Sequence, residues 1–182
     1  MKYKQFLAVT LLTFAFFSCS KEKTTTTGGT NQPPVSYSAL EITSVKITAM
    51  PFTDPSGDTW DNSAPLDNPW PDLYFTFNDQ NNSYATLFTS NTVFNVTPTQ
   101  IPYTWTLSSP YEVPNFNGTY AITLWDDDSN VSLTNSHSGD DIIDGINNLS
   151  PANLVAAGYP ATDNIISTDG KLLITLGLHW HN

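Results

Sequence analysis

The run "KLLITLGLHW" near the C-terminus constrains the fold more than any other stretch. Leu172, Ile174, Leu176, Leu178 and Trp180 fall on every second residue, which is the period of a half-buried β-strand and not that of a helix. The same alternation appears in "VKITAM", through Val45, Ile47 and Ala49, and in "DLYFTF", through Leu73, Phe75 and Phe77. Two dipeptides suited to turns with positive φ, Asn117-Gly118 and Asp169-Gly170, predict hairpins. One helical signal interrupts the pattern. In "SPANLVAAG", Ser150 is placed to cap, Pro151 suits the first helical position and Gly158 suits the end. These features together predict an all-β chain, an antiparallel β-sandwich with one short helix.

The front of the chain belongs to a different regime. Lys2 and Lys4 precede an apolar core, "FLAVTLLTFAFF", that is too short for a membrane-spanning helix and reads as a secretion signal. It ends at Cys19, the one cysteine of the 182 residues, which has no disulfide partner in its own chain. The Ser18-Cys19 junction resembles the lipobox of bacterial lipoproteins, and with the following "SKEK" it resembles those of the Bacteroidetes type. That resemblance implies cleavage after residue 18, diacylation of Cys19 and attachment to the cell envelope, with the outer membrane as the expected site. The tag after Cys19 mixes Lys21 and Lys23 with Glu22, so the membrane face stays open. Residues 1–18 are therefore expected to be a signal peptide, 19–37 a Thr/Gly/Pro-rich tether, and 38–182 one folded domain. More than one acyl chain holds a protein to a bilayer firmly. Membrane attachment then need not come from the domain.

Charge narrows the function. The formal net charge is −11, and loss of Lys2 and Lys4 with the signal peptide would take it to −13. No arginine is present. A chain of this kind is repelled by phosphate backbones, which argues against nucleic-acid binding and for cations. The acidic residues also cluster. In "YAITLWDDD" the core phase of Ile122 and Leu124 continues to Asp126 and Asp128, and the loop that follows returns at Asp140 and Asp141. A second group, Asp54, Asp58, Asp61, Asp67 and Asp72, precedes "DLYFTF". If both loops share one end of a sandwich, each like-charged pair about 5 Å apart costs about 3 kcal/mol at an effective dielectric near 20. With so few lysines, a hard divalent cation is the natural counter-charge, and irregular loops suit Ca²⁺ better than Mg²⁺. Asp67, Asp79 and Asp163 read instead as solvated turn residues.

The order of these pieces resembles the C2 domain, the eight-stranded calcium-binding β-sandwich. "VKITAM" and the acidic loop correspond to its first strand and calcium loop, "PDLYFTF" to its "DPYV"-like strand start, "TPTQIPYTW" to its Pro/Trp stretch, and "AITLWDDD" with "DDIIDG" to its D-x-D strand and acidic return. The likeness spans about residues 40–180. It implies eight strands, a Ca²⁺ cofactor, and calcium ligands at Asp72, Asp126, Asp128 and Asp141, with Asp140 behind Asp141. For the first loop it implies Asp61, with Asp58 and Asp54 behind it.

The expected function is a lipid-anchored module that binds Ca²⁺ and turns its acidic loops toward a lipid, glycan or protein partner, with Trp60, Leu66 and Trp70 beside the metal. The tryptophans could equally fold back over the sandwich end. One alternative is a structural or adhesive lipoprotein whose cation only stabilises the loops. Another is a carboxylate-dependent hydrolase, but no nucleophile or cationic group accompanies the aspartates, so the chain is not expected to be an enzyme. His179 and His181 share one face of the last strand and are able to ligate a metal, although so near the chain end they also read as a solvated tail. His137 lies in a polar loop.

Overall fold

A computed structural model describes residues 37–61, 69–128 and 139–182. Cys19, the expected signal segment, nearly all of the expected tether, Leu66, Asp67 and His137 lie outside these residues. Eight strands follow in order: β1 Ala39–Ala49, β2 Leu73–Asp79, β3 Ala85–Thr89, β4 Tyr103–Glu112, β5 Tyr120–Asp126, β6 Asp141–Leu149, β7 Thr162–Ile166 and β8 Leu173–His181, with helix α1 at Pro151–Ala156 between β6 and β7. They form two antiparallel four-stranded sheets, ordered β4-β1-β8-β7 and β3-β2-β5-β6. This is the all-β sandwich that the alternating pattern predicts.

The period-two pattern becomes the core. Leu172, Ile174, Leu176, Leu178 and Trp180 are buried against Leu73, Phe75 and Phe77 of the facing sheet and against Ile122 and Leu124. Each fully buried aliphatic side chain contributes roughly 1.5–3 kcal/mol. Strand β1 keeps its core face only by changing phase. Leu40 and Ile42 are buried, then Val45 and Ile47, and the pairing slips between Ile42 and Ser44. A β-bulge at Thr43 absorbs the extra residue. Gly177 lies across from it because a Cβ there would meet the Ser44 hydroxyl, with Thr43 Oγ1 only 2.8 Å away. The register slips again after Ile47, so Ala49 is exposed and Met50 takes the buried place.

Strand β2 is buried on both sides. Its outward residues Tyr74, Thr76 and Asn78 are buried too, and Trp125 stacks on Tyr74 at 6.1 Å and donates its indole N–H to Thr76 Oγ1 at 2.9 Å. Asn78 donates to Thr76 and Thr123 and accepts from Thr86, so the buried Asn78 and Thr76 have hydrogen-bond partners.

Three local expectations need correction. Asp169-Gly170 does turn a hairpin, with Gly170 at φ 79 between paired β7 and β8. Asn117-Gly118 does not, because β4 and β5 belong to different sheets and Gly118 has no positive φ. What requires glycine at 118 is space, since a Cβ would lie 2.6 Å from the Tyr120 hydroxyl. Ser150 sits at the start of α1 without a capping side-chain hydrogen bond, although Pro151 opens the helix and Gly158 follows it at φ 90. Asp163 is no turn residue but a half-buried member of β7 opposite Leu176, whereas Asp79 does cap the 3-10 turn Gln80–Asn82.

Candidate metal centre

Strands β1, β2, β5 and β6 bring their acidic ends together because β2 and β5 pair in full register from Leu73↔Asp126 onward and β6 begins opposite Asp126 at Asp141. The connection after β1 is folded back onto the same end. Thr53 bridges Thr59, and the Trp60 indole donates to the Pro51 carbonyl at 3.2 Å, which delivers Asp61 beside the end of β1.

Asp61, Asp126 and Asp128 then converge, each offering a carboxylate oxygen within 4.8 Å of the other two. Asp126 is 1% exposed although it ends a strand. One of its oxygens accepts the Asp72 backbone N–H at 2.7 Å. Burial pushes its carboxyl up to about 7 against that hydrogen bond, and the charges of Asp61, Asp128 and Asp72 push in the same direction. Asp128 is exposed and also raised, first by desolvation and then by Asp141, Asp140, Asp127 and Asp72. Among the described residues, no lysine stands with the groups that shift either carboxylate.

The other expected ligands stand around this trio in different roles. Asp72 is half-buried and accepts the Asn95 N–H at 2.6 Å, while its own backbone binds Asp126 and Asp127; burial raises it, and the Asp127 charge adds to that. Asp141 pairs opposite Asp126 and is exposed. Asp140 accepts the Tyr74 hydroxyl at 2.7 Å on the outer face of the β2-β5 sheet. Asp58 is an exposed turn residue whose N–H is held by Asp54, and the Ser56 hydroxyl bound to Asp54 holds that carboxyl below its ordinary range. The structure thus gathers Asp61, Asp126 and Asp128, keeps Asp72 and Asp141 adjacent, ties Asp140 to Tyr74 while its charge still acts on Asp128, and leaves Asp58 in the turn with Asp54.

The tryptophans fold back. Trp60 is half-buried on the core and tied to Pro51, and Trp70 packs edge-on against Phe52 at 6.1 Å. Sequence reasoning misses Thr92, whose hydroxyl donates to Asp127 at 2.9 Å and so fixes the one aspartate of the triplet that points away from the core phase. Nothing in the local sequence marks that threonine. It also misses Glu41, which faces His179 and His181 across β1 and β8.

The trio supplies carboxylate oxygen alone, the donor set of a hard cation. It holds no imidazole or thiolate that would favour zinc or copper. No protein-family model matches the chain, and no curated protein matches it in sequence.

Proposed function

We propose that this protein is a lipid-anchored lipoprotein of the bacterial cell envelope, held by acylated Cys19, whose β-sandwich is a C2-like module that binds Ca²⁺ through its acidic loops and meets its partner, a lipid, glycan or protein surface, at that end. Asp61, Asp126 and Asp128 are the ligands, with Asp72 and Asp141 next to them. The observation that carries this reading is the convergence, within 4.8 Å, of three carboxylates from two separate segments, the connection after β1 and the end of β5, one of them 1% exposed. Like charges packed this way oppose folding unless a cation or protons neutralise them. Bound Ca²⁺ supplies the positive charge there, while the Asp72 N–H orients Asp126 and the Trp60 contact to Pro51 holds Asp61 in reach. The module is a binding module and not an enzyme.

A second reading, in which the cation only braces the loops of a structural or adhesive lipoprotein, is favoured by the folded-back Trp60 and Trp70. An Asp126→Asn/Asp128→Asn variant that loses metal and keeps its partner would select it.

The test is thermal melting of the full-length chain in detergent, with Ca²⁺ or with chelator. A site of about 10⁻⁴ M affinity at roughly 100-fold excess Ca²⁺ adds about 2.7 kcal/mol, which for a domain of this size is a rise of about 5–10 °C in Tm. The Asp126→Asn/Asp128→Asn variant should show no rise. A wild-type chain that melts identically in calcium and in chelator removes the proposal.

A further inference from the structure

The opposite end of the sandwich carries a second group of ligand-bearing side chains, of different chemistry. Glu41 on β1 lies directly opposite His179 on β8, and His181 is two residues further along the same face. Both strands are interior to their sheet, in the order β4-β1-β8-β7; Glu41 is paired on both sides, with Glu112 and with His179, and His179 and His181 are paired with β1, while the pairing of β8 with β7 stops at Gly177. One Glu41 carboxylate oxygen is 2.6 Å from Nε2 of His181 and 3.3 Å from Nδ1 of His179. The two imidazole rings are 4.3 Å apart, centre to centre, and tilted by 60°. One oxygen and two imidazole nitrogens therefore point at a common position, each within 4.8 Å of the others.

A hydrogen-bonded surface ion pair would explain one histidine, but two imidazoles aimed at the same oxygen is more than such a pair requires. Exposed ion pairs also contribute little. On the other side of β1, Glu112 of β4 stands opposite Glu41. Side-by-side carboxylates on neighbouring strands repel, so a cation bound at Glu41 relieves that repulsion as well.

We infer that Glu41, His179 and His181 form a binding site for a divalent transition-metal ion of the zinc and copper class, separate from the acidic loops. Two imidazoles and a carboxylate are the ligand types of Zn²⁺ and Cu²⁺, at metal–ligand lengths of about 2.0–2.2 Å. Ligands around such an ion stand a little over 3 Å apart, so His181 has to back away from Glu41 by well under about 1 Å. The site does not suit Ca²⁺, which takes about 6–8 oxygens. It is also distant from the calcium loops. Eight residues of extended strand separate Glu41 from Ala49, where β1 reaches the acidic end, a span of about 26 Å at about 3.3 Å per residue.

The probe is Zn²⁺ alone, titrated calorimetrically into the tag-free, chelator-stripped full-length chain with Ca²⁺ held in excess to fill the acidic end. Saturable one-to-one binding is expected in the wild type and in Asp126→Asn/Asp128→Asn. It should weaken by roughly tenfold or more in His179→Ala and in His181→Ala, since loss of a direct ligand costs at least what loss of a supporting contact does. The absence of saturable Zn²⁺ binding, or binding that survives His179→Ala/His181→Ala, overturns the site. Should a variant fold poorly, ring C–H resonances of the three histidines in the wild-type chain decide. Zn²⁺ must shift those of His179 and His181, and a shift confined to His137 overturns the assignment.

Discussion

The two ends of the sandwich hold carboxylates in opposite predicaments. At the loop end, Asp126 is 1% exposed, surrounded by Asp61, Asp128 and Asp72, and pushed up to about 7. At the far end, Glu41 accepts from His181 and His179, and the His181 hydrogen bond holds it below the ordinary carboxylate range. The scaffold is the same and so is the functional group. What differs is company: crowding by like charge and burial favours the protonated acid, whereas imidazole partners favour the carboxylate. A carboxylate that is uncomfortable when ionised is one that gains most from a cation.

The largest test of that contrast is Asp126→Asn. Asparagine keeps an oxygen for the Asp72 N–H and removes the charge, so in chelator near pH 8 the variant should be more stable than wild type, by roughly 2–4 kcal/mol. In saturating Ca²⁺ the order should reverse, because the variant forgoes the ion. Urea melts in the two conditions check both signs. If wild type is the more stable in chelator, the crowding at this end is not a cost.

Acid titration approaches the same point without mutation. The folded value of about 7 for Asp126 lies above the value near 3.9 of an unfolded aspartate. The folded chain therefore holds its proton more tightly, and the stability this supplies is full below the unfolded value and lost as pH rises through the folded one. Chelator-treated protein should gain stability, by about 1 kcal/mol or more, as pH falls from about 8 to about 5. Groups with lowered values, such as Glu41 and Asp54, titrate below that window and leave it undisturbed. Ca²⁺ should abolish the gain or reverse its sign, since proton and ion compete for the same oxygens.

The loop end is legible in the sequence because strand phase carries direction. Ile122, Leu124 and Asp126 share one side of β5, so the alternation by itself marks an inward aspartate, and Asp126 is buried. Asp61 is legible less directly, and what holds its segment is a contact nine residues apart within one connection, Trp60 to Pro51, which no alternation marks. Asp140 escapes the pattern because its partner Tyr74 lies 66 residues away on another strand, a distance no local signal encodes. The far end is hidden for the same reason. His179 and His181 stand out as a pair, but Glu41 joins them only through the β1–β8 register, and that register includes a bulge at Thr43 that no turn residue announces. Asn117-Gly118 misleads in the opposite way. Its composition suits a hairpin, but the chain changes sheets there, and topology overrides a dipeptide preference.

The bulge lies beside the far end and offers a control for the loop end. In Gly177→Ala the new methyl meets the hydroxyls of Ser44 and Thr43, an overpacking that costs about 1–3 kcal/mol. The loss should be equal in chelator and in Ca²⁺, because the substitution touches none of the loop-end ligands, whereas Zn²⁺ binding should weaken, because the β1–β8 register that sets Glu41 against the histidines passes through the bulge. A loss that depends on Ca²⁺ would mean that the ends communicate along β1.

The smallest expected effect belongs to Glu41→Gln in metal-free protein. The histidines lower the folded value of Glu41, so the stability it contributes is present above the unfolded carboxylate range and lost as pH falls through the folded value. Wild type should exceed the variant slightly near pH 6 and converge with it at strongly acid pH, which is the reverse of the slope assigned to Asp126. High salt should erase the difference, since the contact is exposed and screened. Melting curves of the two chains across that range decide the sign. A variant more stable than wild type near pH 6 would mean that repulsion from Glu112 outweighs the histidines, and the far end would then resemble the loop end in being short of positive charge.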